Sequence, residues 1–109
     1  MKLSNAQIFD LAFSLEGLMQ KQLPVRTAYR LSQIFLKLES HRRSIALVIE
    51  KLPKNEDGMP EQKGFQELLE IENEVDIQPV ESQEIFDALD SISPKEMMAL
   101  LPILKEGGL

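Results

Sequence analysis

The residues best suited to chemistry are basic and aromatic side chains between positions 26 and 43. Basic residues recur there at intervals of four and seven, together with the chain's one tyrosine and one histidine. The fork of an arginine matches phosphate oxygens, and a neighbouring tyrosine ring offers a face for stacking a nucleobase. We therefore predict a site for a small anionic, nucleotide-like ligand, formed by Arg26, Tyr29, Arg30, Lys37, His41, Arg42 and Arg43.

Residues for catalysis are scarce in this chain. One histidine and no cysteine exclude His/Cys metal clusters and Cys/His nucleophile pairs, and the glycines lack the spacing of a phosphate-binding loop. The acids Glu67, Glu70, Glu74 and Asp76 have the oxygen ligands of a metal site, but such a run is typical of a solvated acidic face. We predict a non-enzymatic protein without a cofactor or a bound metal.

Charge is distributed unevenly along the chain. Residues 1–54 carry nine basic and four acidic side chains, whereas residues 55–109 carry three basic and fourteen acidic ones. Two explanations remain open: the halves neutralise each other within one chain or an oligomer, or the basic half meets an external anion. The acidic isoelectric point, about 4.8, argues against a duplex-DNA binder.

Two helices must position the basic residues. The first begins at a capping box formed by Ser4 and Gln7 and ends near 20–22, because Pro24 disfavours helical geometry in the residue before it. The second runs from Pro24 to about Leu52, before the next proline. Its apolar seam follows alternating steps of three and four, at Ala28, Leu31, Phe35, Leu38, Ile45, Ile49 and Leu52, with Arg42 as the charged exception.

The second helix is longer than the first can cover. At 1.5 Å per residue it extends for about 40 Å, against roughly 25 Å for the first helix. The C-terminal part or another subunit must therefore bury the remaining apolar length, and we predict a helical hairpin that self-associates. For Arg42 three arrangements remain open: an ion pair with Glu16 or Glu39, a polar layer that sets the register of an oligomer, or an anion pocket at a subunit junction.

The C-terminal part contains weaker signals. Asp57-Gly58 marks a loop at 54–60, and apolar spacing predicts a helix over 61–74. Alternation over Val75–Gln78 predicts a short strand, and residues 84–89 fit either its hairpin partner or a helical turn. Ser93, Pro94 and Glu96 mark the start of a final helix, which Pro102 can kink and which Gly107-Gly108 follows.

These elements predict one mainly α domain over residues 1–109. A long helical hairpin occupies 1–53, and an acidic α+β part with C-terminal helices and a short two-stranded β-hairpin occupies 60–109. The start of the chain does not resemble a signal peptide, and no apolar stretch approaches the roughly 20 residues that cross a bilayer. We expect a soluble cytoplasmic protein with no membrane association.

The order of these features resembles small accessory proteins encoded by tailed bacteriophages. The shared pattern is the capped first helix, the Leu23–Tyr29 start of a long second helix, the Asp57-Gly58 loop, the Val75–Ile77 strand and the Ile92-Ser93-Pro94 helix start. The resemblance implies stoichiometric binding, either in the host cytoplasm against a defence system or in virion assembly or replication. It assigns no binding residue in this chain.

Two main hypotheses follow. In the first, a homo-oligomer sequesters a small anionic signal in a basic cleft and so inhibits host defence. In the second, the chain is a protein–protein adaptor or an assembly component whose partner is a host or virion protein. A third hypothesis is a helical nucleic-acid accessory protein, which requires salt-dependent binding to nucleic acid.

Overall fold

The computed structural model describes residues 1–89 and 91–105. It confirms a mainly α architecture built on a long helix pair, with short strands that join distant parts of the chain. The elements in chain order are β1 (Lys2–Ser4), α1 (Asn5–Met19), α2 (Val25–Lys51), α3 (Gln62–Glu70), β2 (Glu72–Glu74), β3 (Val80–Glu81), α4 (Ser82–Ala88), α5 (Pro94–Leu100), a 3-10 turn (Leu101–Ile103) and β4 (Leu104–Lys105).

The first helix forms as its sequence predicts. The hydroxyl of Ser4 accepts a hydrogen bond from the backbone N–H of Gln7, and the Gln7 side chain accepts one from the backbone N–H of Ser4. This capping box satisfies two amides that the helix itself leaves free. One face of α1 is fully buried and forms the centre of the core, through Ile8, Leu11, Leu15 and Leu18.

The long helix α2 lies between Pro24 and Pro53, as predicted. Its apolar seam faces the core, where Leu31, Leu38 and Ile45 are buried. At its far end the Leu52 side chain lies against α3, with Cδ2 only 3.1 Å from the place where a Cβ on Gly64 would stand. The C-terminal part therefore helps to cover the length that α1 leaves free, and self-association of the hairpin stays a prediction.

Strand pairing differs from the prediction. Val75–Gln78 forms no strand; the strand is β2, three residues earlier, and the helix predicted over 61–74 ends at Glu70. The antiparallel partner of β2 is β1, with Leu3 opposite Asn73. Local alternation could not reveal this partner some seventy residues away. Val75 and Ile77 are both buried, and the backbone of Val75 extends the pairing by one residue, donating to the carbonyl oxygen of Met1 at 2.8 Å and accepting from its N-terminal ammonium at 3.2 Å.

A buried amide secures this pairing. Asn5, at the start of α1, donates from Nδ2 to the carbonyl oxygen of Leu68 at 2.7 Å. Its Oδ1 accepts from Nδ2 of Asn73 on β2, also at 2.7 Å. Because Asn5 is almost fully buried, these bonds replace the water that its amide would otherwise bind. They fix the first turn of α1 against the end of α3 and the strand that follows.

The loop over 54–60 is confirmed and is internally bonded. Lys54 and Pro60 form an antiparallel bridge, and Oδ1 of Asn55 accepts from the backbone N–H groups of Asp57 and Met59 at 3.0 Å each. Gly58 has a φ of +78°, a conformation that residues with a Cβ rarely adopt. The Asp-Gly pair therefore makes the turn that its sequence indicates.

The segment left open at 84–89 is helical for most of its length. It belongs to α4 and does not form the second strand of a β-hairpin; instead β3 pairs in parallel with β4, with Val80 opposite Leu104. The final helix α5 begins at the predicted capping box, and the chain tightens into a 3-10 turn at Pro102. Gly107-Gly108 lies outside the described residues.

Replacing Leu38 tests the burial of the seam. Leu38→Ala removes a fully buried side chain, so we expect the free energy of unfolding to fall by about 2–5 kcal/mol. Leu36→Ala, on the exposed side of the same helix, should change it by no more than about 0.5 kcal/mol. Urea denaturation of dilute protein measures both, and equal effects would mean that the seam is not the buried face.

Candidate functional site

The seven residues predicted to bind an anion all lie on α2 but do not converge. At 3.6 residues per turn they spread over more than half of the helix circumference. Arg42 faces α1, where Glu16 lies, whereas Arg43 faces away from the core and is exposed. The single cleft expected from the sequence is therefore not formed by one copy of the chain.

Arg42 adopts the first of the three arrangements left open by the sequence. Its guanidinium pairs with the carboxylate of Glu39, one turn earlier, and lies 3.6 Å from that of Glu16 on α1. The same group stands 5.6 Å from the centre of the Phe35 ring, within the range of a cation–π contact. Arg43 also reaches Glu39, at 3.8 Å. Both arginines are thus compensated inside the chain.

Arg30 and Lys37 do come together, around a hollow of about 200 Å³ beside residues 77–78. Arg30 lies 3.0 Å from a carboxylate oxygen of Glu84 on α4. Lys37 donates to the backbone carbonyl of Asp76 at 2.6 Å, and its ammonium lies 3.8 Å from the carboxylate of the same residue. An anion in this hollow would have to compete with both carboxylates. These pairs also join the basic and acidic halves of one chain.

The remaining members of the predicted set stay on the surface. Arg26 and Tyr29 are exposed, His41 is half-buried, and no described carboxylate lies within 4.0 Å of Arg26 or His41. The anionic-ligand site stays a prediction, and its residues without a nearby carboxylate lie mainly at the start of α2.

A different feature, the groove between α1 and α5, is the stronger candidate. Its volume is about 720 Å³. Two large apolar side chains that line it remain exposed to solvent: Phe13 is 72% exposed and Met98 is 70% exposed. The residues that line the groove are Phe9, Asp10, Phe13, Ser14, Lys95, Met98 and Ala99. A smaller hollow of about 230 Å³ continues it past Gly17 and Ser93. We call both together the α1/α5 groove.

Local sequence explains why these side chains are left unburied. The buried stripe of α1 is complete without its phenylalanines, and Phe13 lies about half a turn from the centre of that stripe. Phe9, four residues earlier, packs partly against the core and leads the apolar surface towards Phe13. On α5, Leu100 is buried whereas Met98, two positions before it, is exposed.

The chemistry of the α1/α5 groove is that of a binding surface. Exposed apolar side chains next to charged ones, here Asp10 and Lys95, are typical of sites where proteins meet. Across the described ranges, no group of three or more acidic or histidine side chains could hold a metal ion. No helix in those ranges combines the length and apolar character needed to cross a bilayer.

The sequence does not reveal this groove, because Phe9 and Phe13 follow the apolar residues of α1 at helical spacing and so predict only a wider core stripe. A usable signal was present: an aromatic pair at spacing four, next to a stripe that already had enough apolar residues for one buried face. The other side of the groove could not be inferred from the sequence, because α5 packs against α1 through contacts between residues far apart in the chain.

Comparison with protein-family models, with curated proteins and with solved structures found no match for this chain. The function must therefore be argued from the residues of the chain itself.

The helix α5 forms one side of the α1/α5 groove, and the capping box at its start makes its stability depend on pH. The backbone N–H of Ser93 donates to the carboxylate of Glu96 at 3.2 Å and lowers the pKa of that carboxyl; burial opposes the shift, and the Ser93 hydroxyl and Lys21 add to it. A lowered pKa means that this cap stabilises α5 above the unfolded pKa and is lost as pH falls through the folded one.

We expect carboxyl NMR titration to give Glu96 a pKa below the ordinary value of a glutamate. In Ser93→Ala this pKa should rise, because the hydroxyl contribution is gone and the first turn is loosened. Glu96→Gln should keep the helix start but remove its acid dependence. An unchanged Glu96 pKa in Ser93→Ala would show that the Ser93 hydroxyl does not contribute to the shift.

Proposed function

We propose that this protein is a non-enzymatic adaptor that binds another protein through the α1/α5 groove. The observation that supports this most is the pair Phe13 and Met98, two large apolar side chains left in water on either side of a groove of about 720 Å³. Burying them against a partner removes apolar surface from water, which is the main driving force of protein association. Such a protein acts by stoichiometric binding.

The charges support a protein partner over a small anion. Arg30, Lys37, Arg42 and Arg43 each have a carboxylate of the same chain within 4.0 Å. At the groove, by contrast, one acid and one base flank an apolar surface, so no strong charge selects an ion there. Recognition would depend on shape and apolar contact.

The form of the groove favours an amphipathic helix as its occupant. A channel between two helices accepts a third helix, whose side-chain ridges pack into the grooves of the pair. We expect the partner to present large apolar residues at i, i+3 or i+4, and i+7. We further propose that binding takes place in the cytoplasm, since a chain without cysteine suits a reducing compartment.

Selection from a displayed library of random 16-residue peptides tests this function. Peptides that bind the chain should carry the apolar spacing of an amphipathic helix, and Phe13→Asp should weaken their binding by about tenfold or more. Met59→Asp is the matched control, because it places the same charge on an exposed apolar residue of the 54–60 loop. Fluorescence anisotropy measures both variants.

Two results would count against the adaptor proposal. One is a library that yields no binding peptide. The other is a selected peptide that loses affinity equally in Phe13→Asp and Met59→Asp, which would place its site away from the groove. Circular dichroism of each variant shows whether the helices are retained.

Sequestration of a small anion is a second candidate function. It is favoured by Arg26 and Tyr29, which stand one turn apart at the exposed start of α2, where no described carboxylate lies within 4.0 Å of Arg26. Calorimetry against a panel of nucleotides tests it. We expect Arg26→Ala to weaken any nucleotide bound by about tenfold, because a hydrogen bond to a charged group is lost. Lys63→Ala, an exposed cation on α3, is the control, and no heat with any nucleotide would rule the site out.

A further inference from the structure

The outer face of α2 carries a second line of apolar side chains, separate from the buried seam. Val25 is 85% exposed, Tyr29 66%, Leu36 68% and Leu47 58%. At 3.6 residues per turn the four lie within an arc of about 40°, on the side of the helix opposite the core. A helix that packs one face on a core normally presents polar residues on the other. This outer line is therefore unpartnered apolar surface.

Its spacing is symmetrical about Leu36. Val25 lies eleven residues before that position and Leu47 eleven after it, whereas Tyr29 lies seven before and Arg43 seven after. Seven residues are close to two turns and eleven close to three, so all five positions face the same way. Equal spacing on the two sides of Leu36 fits a twofold axis at that residue, although the residue types differ: Val25 is matched by Leu47, and Tyr29 by Arg43.

We propose that two copies of the chain associate through this face, with their α2 helices antiparallel and a twofold axis at Leu36. In this register Leu36 meets Leu36 of the second copy, and Val25 meets its Leu47. Tyr29 meets its Arg43. The same patch is used on both copies, as twofold symmetry requires. This dimer does not depend on the proposed adaptor function, since the α1/α5 groove lies on other helices.

The charge of Arg43 selects the antiparallel orientation. Its side chain is 82% exposed and lies on the outer face. Antiparallel packing places the guanidinium against the ring of Tyr29 from the other copy, a favourable cation–π contact. Parallel packing in register would instead place Arg43 against Arg43 within the contact. Like charges held together there are unfavourable.

On one side of the line, uncharged residues stand next to Leu36. Gln33 and Ser40, both exposed and uncharged, stand between the apolar positions and can exchange hydrogen bonds across the axis. Lys37 lies further round the helix and faces Asp76 of its own chain. The outer line extends over 22 residues, or about 33 Å. Four apolar side chains from each copy make a small interface, so we expect association in the micromolar range.

The chain contains no cysteine, so single-cysteine variants give a clean test. With a short bismaleimide and protein at high micromolar concentration, Leu36→Cys should crosslink to itself several times faster than Lys63→Cys, an exposed control on α3. A mixture of Val25→Cys and Leu47→Cys should give mainly the mixed product. Antiparallel packing holds two copies of position 25 about 33 Å apart, beyond the reach of the reagent.

Each outcome bears on the proposal. Self-crosslinking of Leu36→Cys no faster than the control would overturn the dimer, and Val25→Cys crosslinking to itself as fast as to Leu47→Cys would overturn the orientation. Sedimentation gives an independent measurement: Leu36→Asp should stay monomeric, with unchanged helicity, where the unmodified chain associates. If the dimer is independent of the groove, Phe13→Asp combined with Leu36→Cys should crosslink at an unchanged rate. Failure of the peptide selection would leave these results untouched.

Discussion

The difference in length between α1 and α2 is the constraint on which the rest of the structure depends. A helix of 27 residues carries an apolar seam along its core side, and its hairpin partner has only 15 residues to cover it. Apolar surface left in water is unfavourable, so the chain must return along α2. It starts at α3, whose Gly64 leaves room for Leu52. It continues past Asp76, which lies at Lys37, to α4, where Glu84 lies at Arg30. Asn5 holds this return in place by bonding Leu68 and Asn73.

The packing of the C-terminal part along α2 also brings the basic and acidic halves of the chain together. Basic side chains on α2 meet acids that follow α3, as in Arg30 with Glu84 and Lys37 with Asp76. These pairs are partly exposed, so each contributes little to stability. Their larger effect is on recognition, because they lower the net charge of the surface that a ligand would meet. What distinguishes the remaining surface is apolar: the α1/α5 groove and the outer line of α2.

How far the sequence predicts the structure depends on the distance over which each signal acts. Capping residues and prolines act within a few positions, so both capping boxes and both ends of α2 follow from the sequence. The β1–β2 pairing joins segments some seventy residues apart, so the alternation at Val75–Ile77 indicated burial but not the partner strand. The candidate site was missed for the same reason. Phe13 is apolar in a helical stripe, and only the position of α5 shows that it faces a groove and not the core.

The pairing of β1 with β2 has a consequence for how the chain folds as it is made. The helical hairpin is local in sequence and can form as soon as about fifty residues have been synthesised, whereas β2 and α3 come later. Until they do, the far end of the α2 seam has no cover and the strand β1 has no partner. Exposed seams and unpaired strand edges are the surfaces through which nascent proteins aggregate. Residues 62–74 must therefore be made before these two surfaces are covered, and the chain is open to aggregation until then.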